Sequence, residues 1–282
     1  MKHHYWEAPI VIYLFLGGLG GGIFFLSALF DLIIAPGSGL LFFAPVFFAL
    51  AALALGCFFL VFELGQPPVF WRVFTTKTAI IKWGAVLLSV AMIFGFVWWA
   101  SYLYVLGWEW TFGLAAALEG VRPIMLGVAG VAGFGIMVYT GVMLSTLKAH
   151  AFWATPALPV LFTVSALSTA CAAIALSLGG AVDVNVIGAV VAELIHEIVH
   201  IVDIVLVVAE ITVLLIMVLS FYGAGNVCAH EVAARWVRGK TAPLFWGGMV
   251  FGGLVLPLAL YVLGAGSTGS EVLAPILVLC GG

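Results

Sequence analysis

Six ionisable residues recur along one stretch of an otherwise apolar chain: Glu193, His196, Glu197, His200, Asp203 and Glu210. At 100° per residue they fall within an arc of about 140°, so a helix presents them on one face over about 26 Å. His196 and His200 are i,i+4 neighbours, and His200 and Asp203 are i,i+3. A titratable ladder of that length suits proton conduction across a bilayer, with His196, His200, Asp203 and Glu210 as its candidate members. The competing expectation is that Glu193, His196 and Glu197 stand in water and only Asp203 and Glu210 are embedded. His196-Glu197-Ile198-Val199-His200 also matches H-E-x-x-H, the pattern of a zinc protease, in which two histidines hold the ion and the glutamate activates water. An intramembrane protease needs a third ligand, typically a later Asp before Gly, and none occurs; Asp203, one turn on, is poorly placed to complete a tetrahedron. No haem is expected either, because axial histidines usually come from two helices and both embedded ones lie on one.

A second set of polar groups gathers elsewhere. Glu63 stands in Phe62-Glu63-Leu64-Gly65-Gln66-Pro67-Pro68, where the prolines end a helix and begin a constrained turn. Tyr13 lies in the first apolar run and Tyr139 in Tyr139-Thr140-Gly141-Val142-Met143-Leu144-Ser145. A carboxylate and two phenols at one depth suit a quinone, whose two ring oxygens need hydrogen-bond partners and whose reduced form gives up two protons on oxidation. Each residue alone has a plainer explanation: Glu63 as a helix-end carboxylate in headgroup water, the tyrosines as interface anchors or interhelical bonds.

The elements that carry these groups must be membrane helices. Of 282 residues 65% are hydrophobic and 7% charged, and mean hydropathy is +1.31, which excludes a soluble domain. Spans are expected near 9–34, 40–63, 79–106, 122–147, 156–178, 198–222, 243–264 and 270–282, the last too short unless the sequence continues or the piece is re-entrant. Residues 186–197 are helical in pattern, either extending the sixth span or lying at the interface. No cleavable leader pattern follows the first apolar run. Counting spans, Lys2, Arg72, Lys77, Lys82, Lys148, Arg235, Arg238 and Lys240 fall on one face, A, and only Arg122 on the other, B. The positive-inside rule makes A cytoplasmic. The glycines of Gly17-Gly18-Leu19-Gly20-Gly21-Gly22 suit either close helix packing or a flat ligand in a groove. Cys57, Cys171, Cys228 and Cys280 have no C-x-x-C spacing, and nothing resembles a nucleic-acid footprint. Weak similarity between Leu19-Gly20-Gly21-Gly22 and Leu167-Ser168-Thr169-Ala170 suggests two four-span halves.

Several motifs in order resemble the NrfD/PsrC family, membrane subunits of molybdopterin oxidoreductases such as polysulfide reductase. They are Trp6…Pro9-Ile10…Tyr13-Leu14-Phe15-Leu16-Gly17-Gly18-Leu19, Glu63-Leu64-Gly65-Gln66-Pro67…Phe70-Trp71-Arg72-Val73, Tyr139-Thr140-Gly141…Leu144-Ser145, Phe152-Trp153…Thr155-Pro156…Leu158-Pro159 and Ser165-Ala166-Leu167-Ser168-Thr169. The resemblance implies an all-α integral membrane fold, eight transmembrane helices in two four-helix bundles, here 1–150 and 151–282. It implies menaquinone or ubiquinone bound in the first bundle by Tyr13, Glu63 and Tyr139, with Glu63 handling protons. It also implies a four-cluster iron–sulfur subunit docked on that face, a molybdenum or tungsten bis-pterin catalytic subunit beyond it, and the prokaryotic cell (inner) membrane as location. Two departures stand out: the family's usual Asp-Leu-Gly-Arg-Pro is Glu63-Leu64-Gly65-Gln66-Pro67 here, keeping the acid and losing the Arg, and some relatives carry His in place of Tyr13. Members with exported catalytic subunits imply that face A is outside, against the charge rule. The main alternative of another class is a secondary transporter for a polar solute, which also has glycine-rich spans and buried acids.

Overall fold

A computed structural model describes residues 8–63, 80–146, 155–179, 186–223, 227–263 and 269–281. Lys2, Trp6, Arg72, Lys77, Lys148, Trp153 and the Gln66-Pro67-Pro68 turn lie outside them, as does the Glu63 side chain. The regular elements among the described residues are helices: α1 Ala8–Ile33, α2 Gly39–Glu63, α3 Ile80–Ala100, α4 Glu109–Leu118, α5 Arg122–Ser145, α6 Ala157–Gly179, α7 Val186–Gly223, α8 Val227–Arg238, α9 Leu256–Leu263 and α10 Ala274–Gly281. A π-helical stretch, Leu244–Val255, leads into α9, and a π turn, Gly269–Leu273, leads into α10. In lipid a spanning backbone must satisfy its own hydrogen bonds, and the helix does so within one segment.

Among the described residues seven helices are long and apolar enough to cross a membrane, and the apolar run Glu271–Gly281 is shorter. Three expectations are refined. The third span closes at Ala100, where Ser101 and Tyr102 turn the chain into a short 3-10 helix, Leu103–Leu106. The loop that follows contains α4, ten residues long. Residues 186–197 are neither loop nor separate interfacial helix: α7 runs unbroken for 38 residues. At 1.5 Å per residue it is about 57 Å long, well beyond a hydrocarbon core of about 30 Å.

Packing divides the chain into two compact units, Met1–Thr140 with Ser177–Ile195, and Gly141–Leu176 with His196–Gly282. In the first, α1 packs along α2, and its glycines set the distance. A Cβ on Gly20 would lie 2.7 Å from Leu53 Cγ, and one on Gly21 would lie 2.6 Å from the Gly133 carbonyl oxygen on α5. Of the two uses considered for this run, Gly20 and Gly21 serve close packing, which drives helix association where lipid removes the hydrophobic advantage.

The far end of this unit is fixed by an acid that the sequence reading passed over. Asp31 is 1% exposed, within the last turn of α1. Its Oδ1 accepts the Gly37 N–H at 2.9 Å, and its Oδ2 accepts the Trp98 indole N–H at 3.1 Å and the Tyr102 hydroxyl. Gly37 takes a positive φ of 77°, which aims its N–H back at the helix end. The Arg122 guanidinium packs on Gly37 and lies 5.8 Å from the Tyr102 ring centroid. Burial first, then the Asp31 carboxylate, pushes the Tyr102 phenol well above its ordinary range, so it remains a donor. One carboxylate thereby joins α1, the α1–α2 turn, α3 and the segment after it.

Asp31→Ala leaves an indole, a phenol and a backbone N–H without their acceptor. The expected loss is about 3 kcal/mol, read as a lower unfolding midpoint in a mixed-micelle denaturant titration. A shift below about 0.5 kcal/mol would show that the clamp does not hold this end together.

Candidate functional site

Two of the three residues expected at the quinone site lie together. Tyr13 on α1 and Tyr139 on α5 are both buried, and Tyr139 and Cys57 are near enough to Tyr13 to act on it electrostatically. Each ring uses a glycine on a neighbouring helix: a Cβ on Gly56 would lie 3.5 Å from the Tyr13 ring, and one on Gly84 would overlap the Tyr139 ring. Small residues on α2 and α3 thus let two phenols occupy the space between helices. Glu63 closes α2, two turns or about 10 Å beyond Gly56 along the axis. Its side chain is outside the described residues. Cys57 donates to the Met92 sulfur at 3.8 Å, a soft contact between α2 and α3.

The ladder on α7 is graded by burial. Glu193 and Glu197 are exposed, His196 and His200 are half-buried, Asp203 is 1% exposed and Glu210 is 6% exposed. Both Asp203 and Glu210 are therefore embedded, and the two glutamates before them are not. The His196 and His200 ring centroids are 4.6 Å apart, and the His200 and Tyr261 rings, the latter from α9, pack nearly perpendicular with centroids 4.8 Å apart. The Tyr261 hydroxyl donates to Asp203 Oδ2 at 2.8 Å, and Ser168 on α6 donates to Oδ1 at 2.5 Å. Ser165, one turn before Ser168, hydrogen-bonds Glu210. Two serines spaced i,i+3 on α6 thus meet two acids on α7. The His200 Nε2 is buried and has no partner among the described residues.

Sequence reasoning found the acids and missed their donors. Ser168 stands in one of the family motifs without an assigned role, and Tyr261 is an aromatic in an apolar run. An alternation of hydroxyls with small residues facing an acid-bearing helix was the only available signal. Among the described residues no three His, Cys, Asp or Glu side chains are grouped to hold an ion. Asp203 spends its oxygens on Tyr261 and Ser168 instead.

The sequence profile described as Polysulphide reductase, NrfD, matches residues 1–282. The chain belongs to the NrfD family. Its relatives include the C subunit of polysulfide reductase from Wolinella succinogenes, 28% identical over 302 aligned positions covering 98% of this chain and 90% of that protein. Protein NrfD of Escherichia coli is 30% identical over 186 positions, covering 59% of this chain and 57% of that protein. As an NrfD-family protein with seven long apolar helices among its described residues, it is a multi-pass membrane protein. The match across the whole sequence takes in both the paired phenols and the acid–hydroxyl ladder.

Asp203 supplies a direct test. Ser168→Ala and Tyr261→Phe each remove one bond to a buried carboxyl, with an expected loss of about 1–3 kcal/mol apiece. Because both bonds end on one group, the double variant is expected to depart from additivity. Strict additivity in a double-mutant cycle of unfolding would show that the two hydroxyls do not share Asp203.

Proposed function

We propose that this NrfD-family protein is the quinone-reactive membrane subunit of a respiratory oxidoreductase complex of the polysulfide reductase type. The observation that carries this reading is the pair of buried phenols, Tyr13 and Tyr139, seated on Gly56 and Gly84 near the end of α2 that carries Glu63. The donor set fits a quinone: two phenols that donate or accept hydrogen bonds, apolar walls from α1 to α3, and an acid at the helix end. When bound, the menaquinone or ubiquinone supplies two-electron, two-proton redox chemistry. Tyr13 and Tyr139 would orient the ring by hydrogen bonds to its oxygens, and Glu63 would take or give the accompanying proton. The helices would keep bulk water away from the ring and leave the proton route to these side chains.

Electrons would pass to or from a four-cluster iron–sulfur subunit on face A, with a molybdenum or tungsten bis-pterin subunit carrying the substrate chemistry. This assignment rests on family membership and on the relative named as a polysulfide reductase subunit. The first helical bundle, 1–150, would hold the quinone and the second, 151–282, a proton path through His196, His200, Asp203 and Glu210. The prokaryotic inner membrane is the compartment that such a complex needs. The contacts of His200 with Tyr261 and of Tyr261 with Asp203 support the path, because they join half-buried histidines to a buried acid.

Glu63→Gln is expected to abolish quinol-linked turnover while the assembled complex persists; normal turnover would remove Glu63 from the site. Tyr13→Phe and Tyr139→Phe should each lower turnover by about tenfold, the value of one lost hydrogen bond of about 1.4 kcal/mol. For the path, Asp203→Asn with Glu210→Gln in proteoliposomes should suppress coupled proton movement more than electron transfer. Unchanged proton movement would sink the path and leave the quinone reading standing. Purification as a lone polypeptide without iron–sulfur partner or quinone, from membranes extracted mildly enough to preserve complexes, would favour solute transport.

A further inference from the structure

The helix α8 differs in kind from its neighbours. It is twelve residues long, amphipathic, and carries Arg235 and Arg238 in its last turn. At 100° per residue Ala233, Trp236 and Val237 share one side, while Glu231, Arg235 and Arg238 share the other. Ala233 is fully buried, whereas Arg235, Arg238 and the following Lys240 are exposed.

The segment is fixed where it meets the next apolar run. Trp236 stacks on Phe245 with ring centroids 5.5 Å apart, and the Trp246 indole donates to the Val237 carbonyl at 3.2 Å. The Gly239 N–H and the Thr241 hydroxyl both donate to the Arg235 carbonyl, at 2.9 and 3.0 Å. The turn is therefore a built corner that holds three cations in place. On the other side of the corner the surface becomes apolar at once: Leu244 is 76% exposed and Trp246 44% exposed, at the start of a membrane-spanning segment. Three cations thus precede, within a few residues, an exposed apolar surface that begins with a leucine and a tryptophan, the residue type enriched at membrane interfaces.

We propose that Arg235, Arg238 and Lys240 form a binding site for the phosphate of an anionic glycerophospholipid. Its acyl chains lie along the surface that begins with Leu244 and Trp246. Two guanidinium forks match phosphate oxygens bidentately, and Lys240 adds a point charge. Glu231, one turn before Arg235, lowers the local charge from three to two and leaves it positive. A protein partner would need a polar or mixed surface continuing past the corner. The exposed side chains there, Leu244 and Trp246, instead suit a molecule whose anionic head is joined to an apolar tail. The site stands on the membrane topology of the protein and is independent of quinone chemistry.

The test uses the full-length protein, purified in mild detergent and presented with phosphatidylglycerol or phosphatidylcholine of equal acyl length. Native mass spectrometry is expected to show phosphatidylglycerol retained in preference to phosphatidylcholine, and added phosphatidylglycerol to raise the melting temperature. Arg235→Gln with Arg238→Gln and Lys240→Gln should weaken that retention by on the order of 100-fold. Arg235→Lys with Arg238→Lys keeps the charge but loses the bidentate forks, and should retain phosphatidylglycerol at a level between the unaltered and the neutralised protein. Equal retention of the two lipids by the unaltered protein would overturn the proposal, whether or not the neutralised variant folds. So would a neutralised variant that keeps phosphatidylglycerol but releases a protein subunit from the complex, which would assign the cluster to that subunit.

Discussion

A carboxyl group taken out of water needs donors, and in this protein that need ties helices together at defined heights. Apolarity holds the spans in the bilayer but says little about which side of one helix meets which side of another, because lipid tails are as apolar as leucine. Asp31 and Asp203 resolve that degeneracy, each within its own compact unit. Asp31 draws in the Gly37 N–H, the Trp98 indole and the Tyr102 hydroxyl; Asp203 draws in Ser168 and Tyr261. Each acid thereby selects a rotation and a height for the helices around it. The interhelical glycines complete the arrangement, since Gly21 and Gly133 let α1 and α5 approach to backbone contact.

This division of labour explains what could be read from the sequence beforehand. Span positions follow from local apolarity, so seven long helices were legible, and the motifs around Tyr13, Glu63 and Tyr139 carried the family. The acids of α7 were legible too, because a charged residue in an apolar run stands out. Their partners were not. Ser168 and Tyr261 are ordinary residues in a membrane helix, and only the packing of α6 and α9 on α7 shows that they face Asp203. Asp31 escaped notice because a lone acid near a span end looks like a solvated terminus, whereas it is enclosed by residues 67 and 71 positions away. The continuity of α7 was left open for a similar reason: periodicity persists through residues 186–197, and no breaker decides the matter either way.

The two sets of polar residues differ in how their groups are used. Among the described contacts, Asp31 meets three donors and is held as a structural group. The α7 set runs from exposed glutamates through half-buried histidines to buried acids, and it contains a buried imidazole nitrogen with no described partner. A group with an open valence beside a hydrogen-bonded chain has room to rearrange, whereas a saturated one has not. That contrast, which lies at His200, supports the proposal of a proton path along α7.

The segment Leu244–Val255 leads straight into the helix that carries Tyr261. Each of its turns closes between residues i and i+5, so it takes up one residue more than an α turn. Residues beyond it are therefore out of phase with an uninterrupted α-helix, by about 100° for each residue absorbed. Tyr261, whose hydroxyl donates to Asp203, lies beyond the stretch and carries that offset. A protein that lost a residue here could relax into a regular helix with every span intact and still turn its hydroxyl toward a different neighbour. Insertions and deletions within this apolar run thus act as a rotary adjustment of a distant side chain, a route by which relatives with equally hydrophobic helices could diverge in what their buried acids touch.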